Sequence, residues 1–98
     1  MSLLEKVVIV TGSGNGIGRA IALAYAQQGS KIVVADKTKK DIEETVQLIQ
    51  EQKGTCHGVT VDVRDRFQIE SLMQETVQKY GTIDIPVSYT HLTLPTKA

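Results

Sequence analysis

The 98-residue chain reads as an α/β protein on a doubly wound parallel sheet, in the order β-α-β-α-β-α-β. Three observations predict this. The run Val7-Val8-Ile9-Val10 is apolar and β-favouring throughout, as a strand covered on both faces requires. It runs into Thr11-Gly12-Ser13-Gly14-Asn15-Gly16-Ile17-Gly18, a glycine-rich turn that opens a helix. Beyond it, β-prone runs alternate with segments of helical period, and right-handed crossovers return each strand to a parallel neighbour.

Each element has its own justification. The glycines let the chain turn without a Cβ in the way. The helix that follows brings free N–H groups and about half an elementary positive charge to the turn, which suits a pyrophosphate. That first helix is expected from about Gly16 to Gln28, with Ile17, Ala20, Ile21, Ala24 and Gln28 on its buried stripe and Gly29 as its stop. A second strand covers Lys31 to Asp36. A second helix, about Lys39 to Lys53, repeats Ile42, Thr45, Val46 and Ile49 before Gly54. The third strand is expected over Cys56 to Val63. Asp65 suits an N-cap for a third helix striped by Ile69, Leu72, Met73, Thr76 and Tyr80, which Gly81 ends. The strand order follows as 3-2-1, with a frayed fourth strand beside the first.

The glycine spacing narrows the reading. Gly-x-Gly-x-x-Gly is not met from Gly12, because Ile17 takes the third place. Thr-Gly-x-x-x-Gly-x-Gly is met, with Gly12, Gly16 and Gly18 at the fixed places and Gly14 as an extra. With the continuation Gly-Ile-Gly-Arg-Ala-Ile-Ala from Gly16 to Ala22, the chain resembles the short-chain dehydrogenase/reductase family over about Glu5 to Ile85. The resemblance implies a Rossmann-type fold, a bound nicotinamide dinucleotide, hydride transfer to or from a small carbonyl/alcohol substrate, and a homo-oligomeric parent. It places Gly12, Ser13, Asn15, Gly16, Ile17 and Gly18 against the cofactor.

Two aspartates extend that site. Asp36 ends the second strand eighteen positions after Gly18, where a carboxylate accepts from both hydroxyls of the adenosine ribose. It repels a 2′-phosphate by roughly 4 kcal/mol per charge pair at 4 Å and an effective dielectric near 20, an upper-end figure. NAD is therefore favoured over NADP, although Lys37, Lys39 and Lys40 are placed to offset a phosphate. The plainer alternative is that Asp36 starts a turn and the lysines open a solvated helix. In the family an aspartate placed like Asp62 accepts from the adenine amine while the next backbone N–H, here that of Val63, donates to the ring; otherwise Asp62 caps the next helix. Cys56 and His57 are adjacent on a strand and point to opposite faces, so they do not share a metal.

Composition excludes other classes. Eleven basic and eleven acidic residues cancel, so nothing favours nucleic acid or an anionic membrane. No apolar run approaches a membrane span, and the N-terminus lacks the pattern of a signal peptide. A single cysteine forbids an intrachain disulfide and fits a cytoplasmic setting.

The pattern breaks at Pro86. The resemblance implies an apolar fourth strand followed by Asn-Asn-Ala-Gly, but the chain ends Pro86-Val87-Ser88-Tyr89-Thr90-His91-Leu92-Thr93-Leu94-Pro95-Thr96-Lys97-Ala98. Val87 to Thr96 matches the translation of GTC TCT TAT ACA CAT CTG ACG CTG CCG ACG, which resembles a transposase end and primer site of a DNA-sequencing adapter. Residues 1–85 are thus read as a partial dinucleotide-binding domain and 86–98 as a non-native tail without a fixed packed position. The family's catalytic tyrosine has a lysine four residues on; Tyr25, Tyr80 and Tyr89 are followed at that distance by Gly29, Asp84 and Thr93. No catalytic residue is expected in this chain, and it is expected to be inactive alone. The alternatives are a parent that keeps the nucleotide site for sensing or scaffolding, or a short nucleotide-binding module, against which the tail argues.

Overall fold

The computed structural model describes residues 4–14 and 16–88. Its elements are β1 (Val7–Thr11), α1 (Gly16–Gln27), β2 (Lys31–Asp36), α2 (Lys39–Glu51), β3 (Thr55–Thr60), α3 (Arg66–Tyr80) and β4 (Ile85–Ser88). All pairings are parallel, and the strand order is β3-β2-β1-β4, as expected. Ile9 lies beside Val33 of β2 and Pro86 of β4.

Strand alternation divides the core into two layers. Val8, Val10, Ile32 and Val34 face Ala22 and Ala26 of α1 and Ile42 and Ile49 of α2. Ile9, Val33 and Ala35 face Leu72 of α3, with Val61 in the same layer. β1 is buried at every position, because helices cover both faces of the sheet. Each such Val or Ile, removed from water, stabilises the fold by about 1.5–3 kcal/mol.

On α1 the buried face differs from the expected stripe. Gly18, Ala22 and Ala26 are buried, whereas Ile17 is 59% exposed. A Cβ on Gly18 would lie 2.0 Å from the Gly12 carbonyl oxygen and 3.0 Å from the Ser13 Cα, so the first turn of the helix lies against the backbone of the glycine turn. At that separation no side chain fits between, and farther along Ile21, Leu23 and Tyr25 pack, partly buried, against the core that holds Ala22 and Ala26.

α2 buries Ile42, Thr45 and Ile49, as the periodicity predicts. It ends earlier, at Glu51, and the chain reverses through Lys53 with φ 65°. β3 is shorter than expected: the Val61 N–H still donates to the Asp36 carbonyl at 2.7 Å, but the chain then turns, with the Asp65 N–H donating to the Asp62 carbonyl at 2.9 Å. Asp65 caps α3, accepting from the N–H groups of Phe67 and Gln68, and Gly81 closes it in left-handed backbone.

The expectation that the packed chain ends at Ile85 needs correcting for three residues, since β4 runs on to Ser88 beside Thr11. The Asp84 N–H donates to the Val7 carbonyl at 2.9 Å, and the Val7 N–H donates to Asp84 Oδ2 at 2.8 Å. That exchange launches the chain along β1, and Ile85 and Val87 alternate onto the core. Pro86 is tolerated because β4 is at the edge of the described sheet, where a missing donor costs least. Residues 89–98 of the expected tail lie outside the described residues.

Candidate functional site

The carboxyl ends of β1, β2 and the β3 segment converge at one end of the sheet. There they bring together the glycine turn, Asp36 and Asp62. The strand order places β2 and β3 on one side of β1 and β4 on the other, so the crevice between the diverging connections opens beside the turn. Gly12 and Gly16 have φ 71° and 62°, which L side chains rarely adopt. No acidic residue lies in the first turn of α1, so its terminal N–H groups and positive partial charge are not neutralised there. A Cβ at Gly16 would meet nothing within 4 Å among the described residues, so the turn is open at that position.

Asp36 is fixed at the rim of this space. Its Oδ2 accepts from the Gly14 N–H at 2.8 Å and its Oδ1 from the Lys37 N–H at 2.7 Å. A carboxylate offers about four acceptor positions, so two are left unused by the described residues. The close approach depends on Gly14, where a Cβ would lie 2.6 Å from Asp36 Oδ2 and 2.7 Å from Asp41 Cβ. Gly14, an extra in the sequence motif, is therefore required by the site.

Ser13 faces inward. Its buried hydroxyl donates to the Val10 carbonyl at 2.6 Å and accepts from the Ala35 N–H at 3.0 Å. Its own N–H donates to the Ala35 carbonyl at 3.2 Å. The residue stitches the turn to β2 and turns no side-chain atom toward the open side. Asn15 lies outside the described residues.

Two residues that sequence reasoning left out of the site hold the turn from behind. Thr45 Oγ1 on α2 lies 2.9 Å from the Ser13 carbonyl oxygen and 3.0 Å from that of Gly14. Arg19 on α1 donates through Nε to Thr45 Oγ1 at 2.8 Å and through Nη2 to the Gly14 carbonyl. A threonine at a fully buried stripe position was the available signal, since its hydroxyl needs a partner.

Asp62 lies past the end of β3. Arg64 grips it with a fork, Nε to Oδ1 at 3.1 Å and Nη2 to Oδ2 at 3.0 Å, and the Arg64 N–H adds 2.9 Å to Oδ1. Those bonds, with the nearby charges of Arg64 and Lys37, lower the carboxyl to about 2. The Asp62 N–H donates to Gln68 Oε1 at 2.7 Å, while helix capping falls to Asp65. Val63, next along, is half-buried.

Cys56 and His57 point to opposite faces. The Cys56 thiol lies 3.7 Å from the Val46 carbonyl on α2, and burial raises its pKa. His57 Nε2 lies 2.5 Å from Glu75 Oε2 on α3. Among the described residues no three His, Cys, Asp or Glu side chains gather as a metal site, and no helix is long and apolar enough to cross a membrane.

With this geometry in hand, comparisons with known proteins converge. The family model described as short chain dehydrogenase matches residues 6–89. The 3-oxoacyl-(acyl-carrier-protein) reductase FabG of Thermotoga maritima is 34% identical over 93 residues, covering 95% of this chain and 38% of that protein. The short-chain dehydrogenase/reductase homolog YusS of Bacillus subtilis is 33% identical over 94 residues, covering 95% of this chain and 86% of that protein. A hydroxysteroid dehydrogenase structure from Escherichia coli matches with a TM-score of 0.86 at 31% identity, over 89% of this chain and 37% of that one. The chain spans little more than a third of FabG and of the Escherichia coli enzyme, and most of YusS. The family comprises oxidoreductases that use a nicotinamide cofactor. A family model over residues 6–89 and a relative matched along most of its length make the assignment: this chain belongs to the short-chain dehydrogenase family.

Proposed function

We propose that this chain binds NAD and supplies the cofactor end of an oxidoreductase that exchanges hydride with a carbonyl/alcohol pair. The observation that carries the proposal is Asp36, held by two backbone N–H groups beside a glycine turn that is open at Gly16. The residues present fit the cofactor. The turn from Gly12 to Gly18 and the α1 N-terminus receive the pyrophosphate, and Ser13 keeps the turn on β2. The two acceptor positions left on Asp36 suit the adjacent ribose hydroxyls. Asp62 and the Val63 N–H suit the adenine edge, with the Arg64 fork sharing the Asp62 oxygens. When bound, the nicotinamide ring carries the hydride.

The carboxylate also sets the preference for NAD. A 2′-phosphate beside Asp36 meets like charge, and Lys37 meets that carboxylate through its backbone N–H at 2.7 Å, a contact that does not neutralise it. The chain has no Tyr-x-x-x-Lys, so proton transfer to and from substrate falls to residues outside it.

Calorimetric titration of NAD and NADP into the chain and into Asp36→Ala tests this reading. NAD binds more tightly to the unsubstituted chain, and Asp36→Ala narrows the gap by about tenfold, the equivalent of about 1.4 kcal/mol of relieved repulsion and lost ribose bonds. NADP binding as tightly as NAD with Asp36 intact would mean that the lysines dominate and the proposal fails.

A further inference from the structure

The Ser13–Gly14 peptide is gripped from opposite sides. In a trans peptide the C=O and the following N–H point in opposite directions. Here the Ser13 carbonyl meets the Thr45 hydroxyl at 2.9 Å, and the Gly14 N–H meets Asp36 Oδ2 at 2.8 Å. Thr45 is fully buried, and Arg19 Nε donates to its oxygen at 2.8 Å. Arg19 takes one of the hydroxyl's two acceptor positions, and its single proton is shared between the carbonyls of Ser13 and Gly14, at 2.9 and 3.0 Å. Arg19 is itself seated on α2, 3.4 Å from the Asp41 carbonyl and 3.2 Å from Glu44 Oε1.

We infer that Thr45 and Arg19 are positioning residues for the ribose carboxylate. By fixing the Ser13–Gly14 plane they aim the Gly14 N–H at Asp36 and hold its carboxylate ready for the ribose hydroxyls. This rests on the reading of Asp36 as the ribose ligand. The chain of contacts runs from Arg19 through Thr45 and the peptide to Asp36, and each link is a hydrogen bond of the structure. Loss of the Thr45 hydroxyl releases the carbonyl side of the plane, and among the described residues Asp36 then keeps only the Lys37 N–H as a fixed donor.

The test measures NAD affinity by calorimetry and amide exchange by NMR in Thr45→Val, Thr45→Ser, Arg19→Lys, Asp36→Ala and Thr45→Val/Asp36→Ala. Thr45→Val weakens NAD by about 3- to 10-fold, the worth of one hydrogen bond. Thr45→Ser keeps the hydroxyl and stays within about twofold. With Asp36→Ala already present, Thr45→Val changes affinity by less than about twofold, because the path ends at that carboxylate. Without any ligand, Thr45→Val speeds exchange at Gly14 while Val34, in mid-sheet, stays protected.

Equal NAD binding by Thr45→Val and Thr45→Ser overturns the inference, as does an undiminished Thr45→Val effect without Asp36. Joint loss of protection at Gly14 and Val34 shows general loosening and also overturns it for that variant. Arg19→Lys, which keeps the charge but not the two-pronged contact, then decides by the same cycle against Asp36→Ala. Failure of the unsubstituted chain to bind NAD overturns the ribose reading, whereas Gly14 exchange reports on the clamp with no ligand present.

Discussion

Ser13→Ala should act on stability and leave the ligand untouched. The Ser13 hydroxyl accepts from the Ala35 N–H at 3.0 Å, and Ala35 is fully buried. Replacing it with a methyl group strands that donor where water does not reach. An unsatisfied buried donor costs about 1–3 kcal/mol, and the 2.6 Å bond to the Val10 carbonyl is lost as well. The Ser13 N–H still holds the Ala35 carbonyl, so the turn stays attached and the loss settles near 2 kcal/mol. For a small domain with a urea m-value of about 1–3 kcal/mol per molar, the midpoint falls by about 1 M. Urea unfolding followed by circular dichroism reads this directly, and NAD titration of the folded variant stays within about twofold because no hydroxyl faced the ligand. A midpoint shift below about 0.2 M at unchanged m, or a large loss of NAD affinity in a stable variant, would refute the assignment of Ser13 as an internal stitch.

Arg64→Ala removes the fork that lowers Asp62, so a carbon-detected NMR titration should move this carboxyl from about 2 back toward its ordinary value of 3.8. The sign follows: the stabilisation is present above the ordinary carboxylate range and disappears as pH falls through about 2, and an Asp62 that still titrates near the lower value in the variant would assign the shift elsewhere. Lys53→Gly relieves the left-handed φ of 65° at the end of α2 and should stabilise by about 0.5–1 kcal/mol, read as a higher melting temperature; a lower one would show that the lysine side chain contributes more than the backbone strain. The chain alone should show no NAD- or NADP-dependent alcohol oxidation, because it has no Tyr-x-x-x-Lys, and turnover that vanishes in Asp36→Ala would contradict this.

Much of the fold was legible because β1 and β2 are apolar on both faces, which only a covered parallel sheet explains. The helices α2 and α3 were legible for the same kind of reason, since their stripes bury large side chains at helical spacing. The facing of α1 differs because hydrophobicity ranks Ile17 above Gly18, whereas the approach of the helix to the Gly12–Ser13 backbone admits only glycine. In the site, Asp36 was visible from its place at a strand end. Gly14 and Thr45 were not, because their roles depend on partners 22 and 32 positions away. No local pattern encodes a peptide plane.

That dependence bears on how the site stays in register. The residues that fix the turn come from β1, α1, β2 and α2, all before Glu51, and each contact closes a loop through the same pair of parallel strands. Ser13 ties the turn to β2 beneath it, while Thr45 and Arg19 tie it to α2 beside it. Asp36, at the end of β2, is thereby held relative to Gly14 by strand register and by helix packing at once. A shift of α2 along the sheet would break the Thr45 contact, whereas a slip of β2 against β1 would break the Ser13 contact. Either movement turns the carboxylate away from the open side of the glycine turn. A point contact with a flexible ligand thus draws its geometry from two rigid layers, as a preorganised site requires.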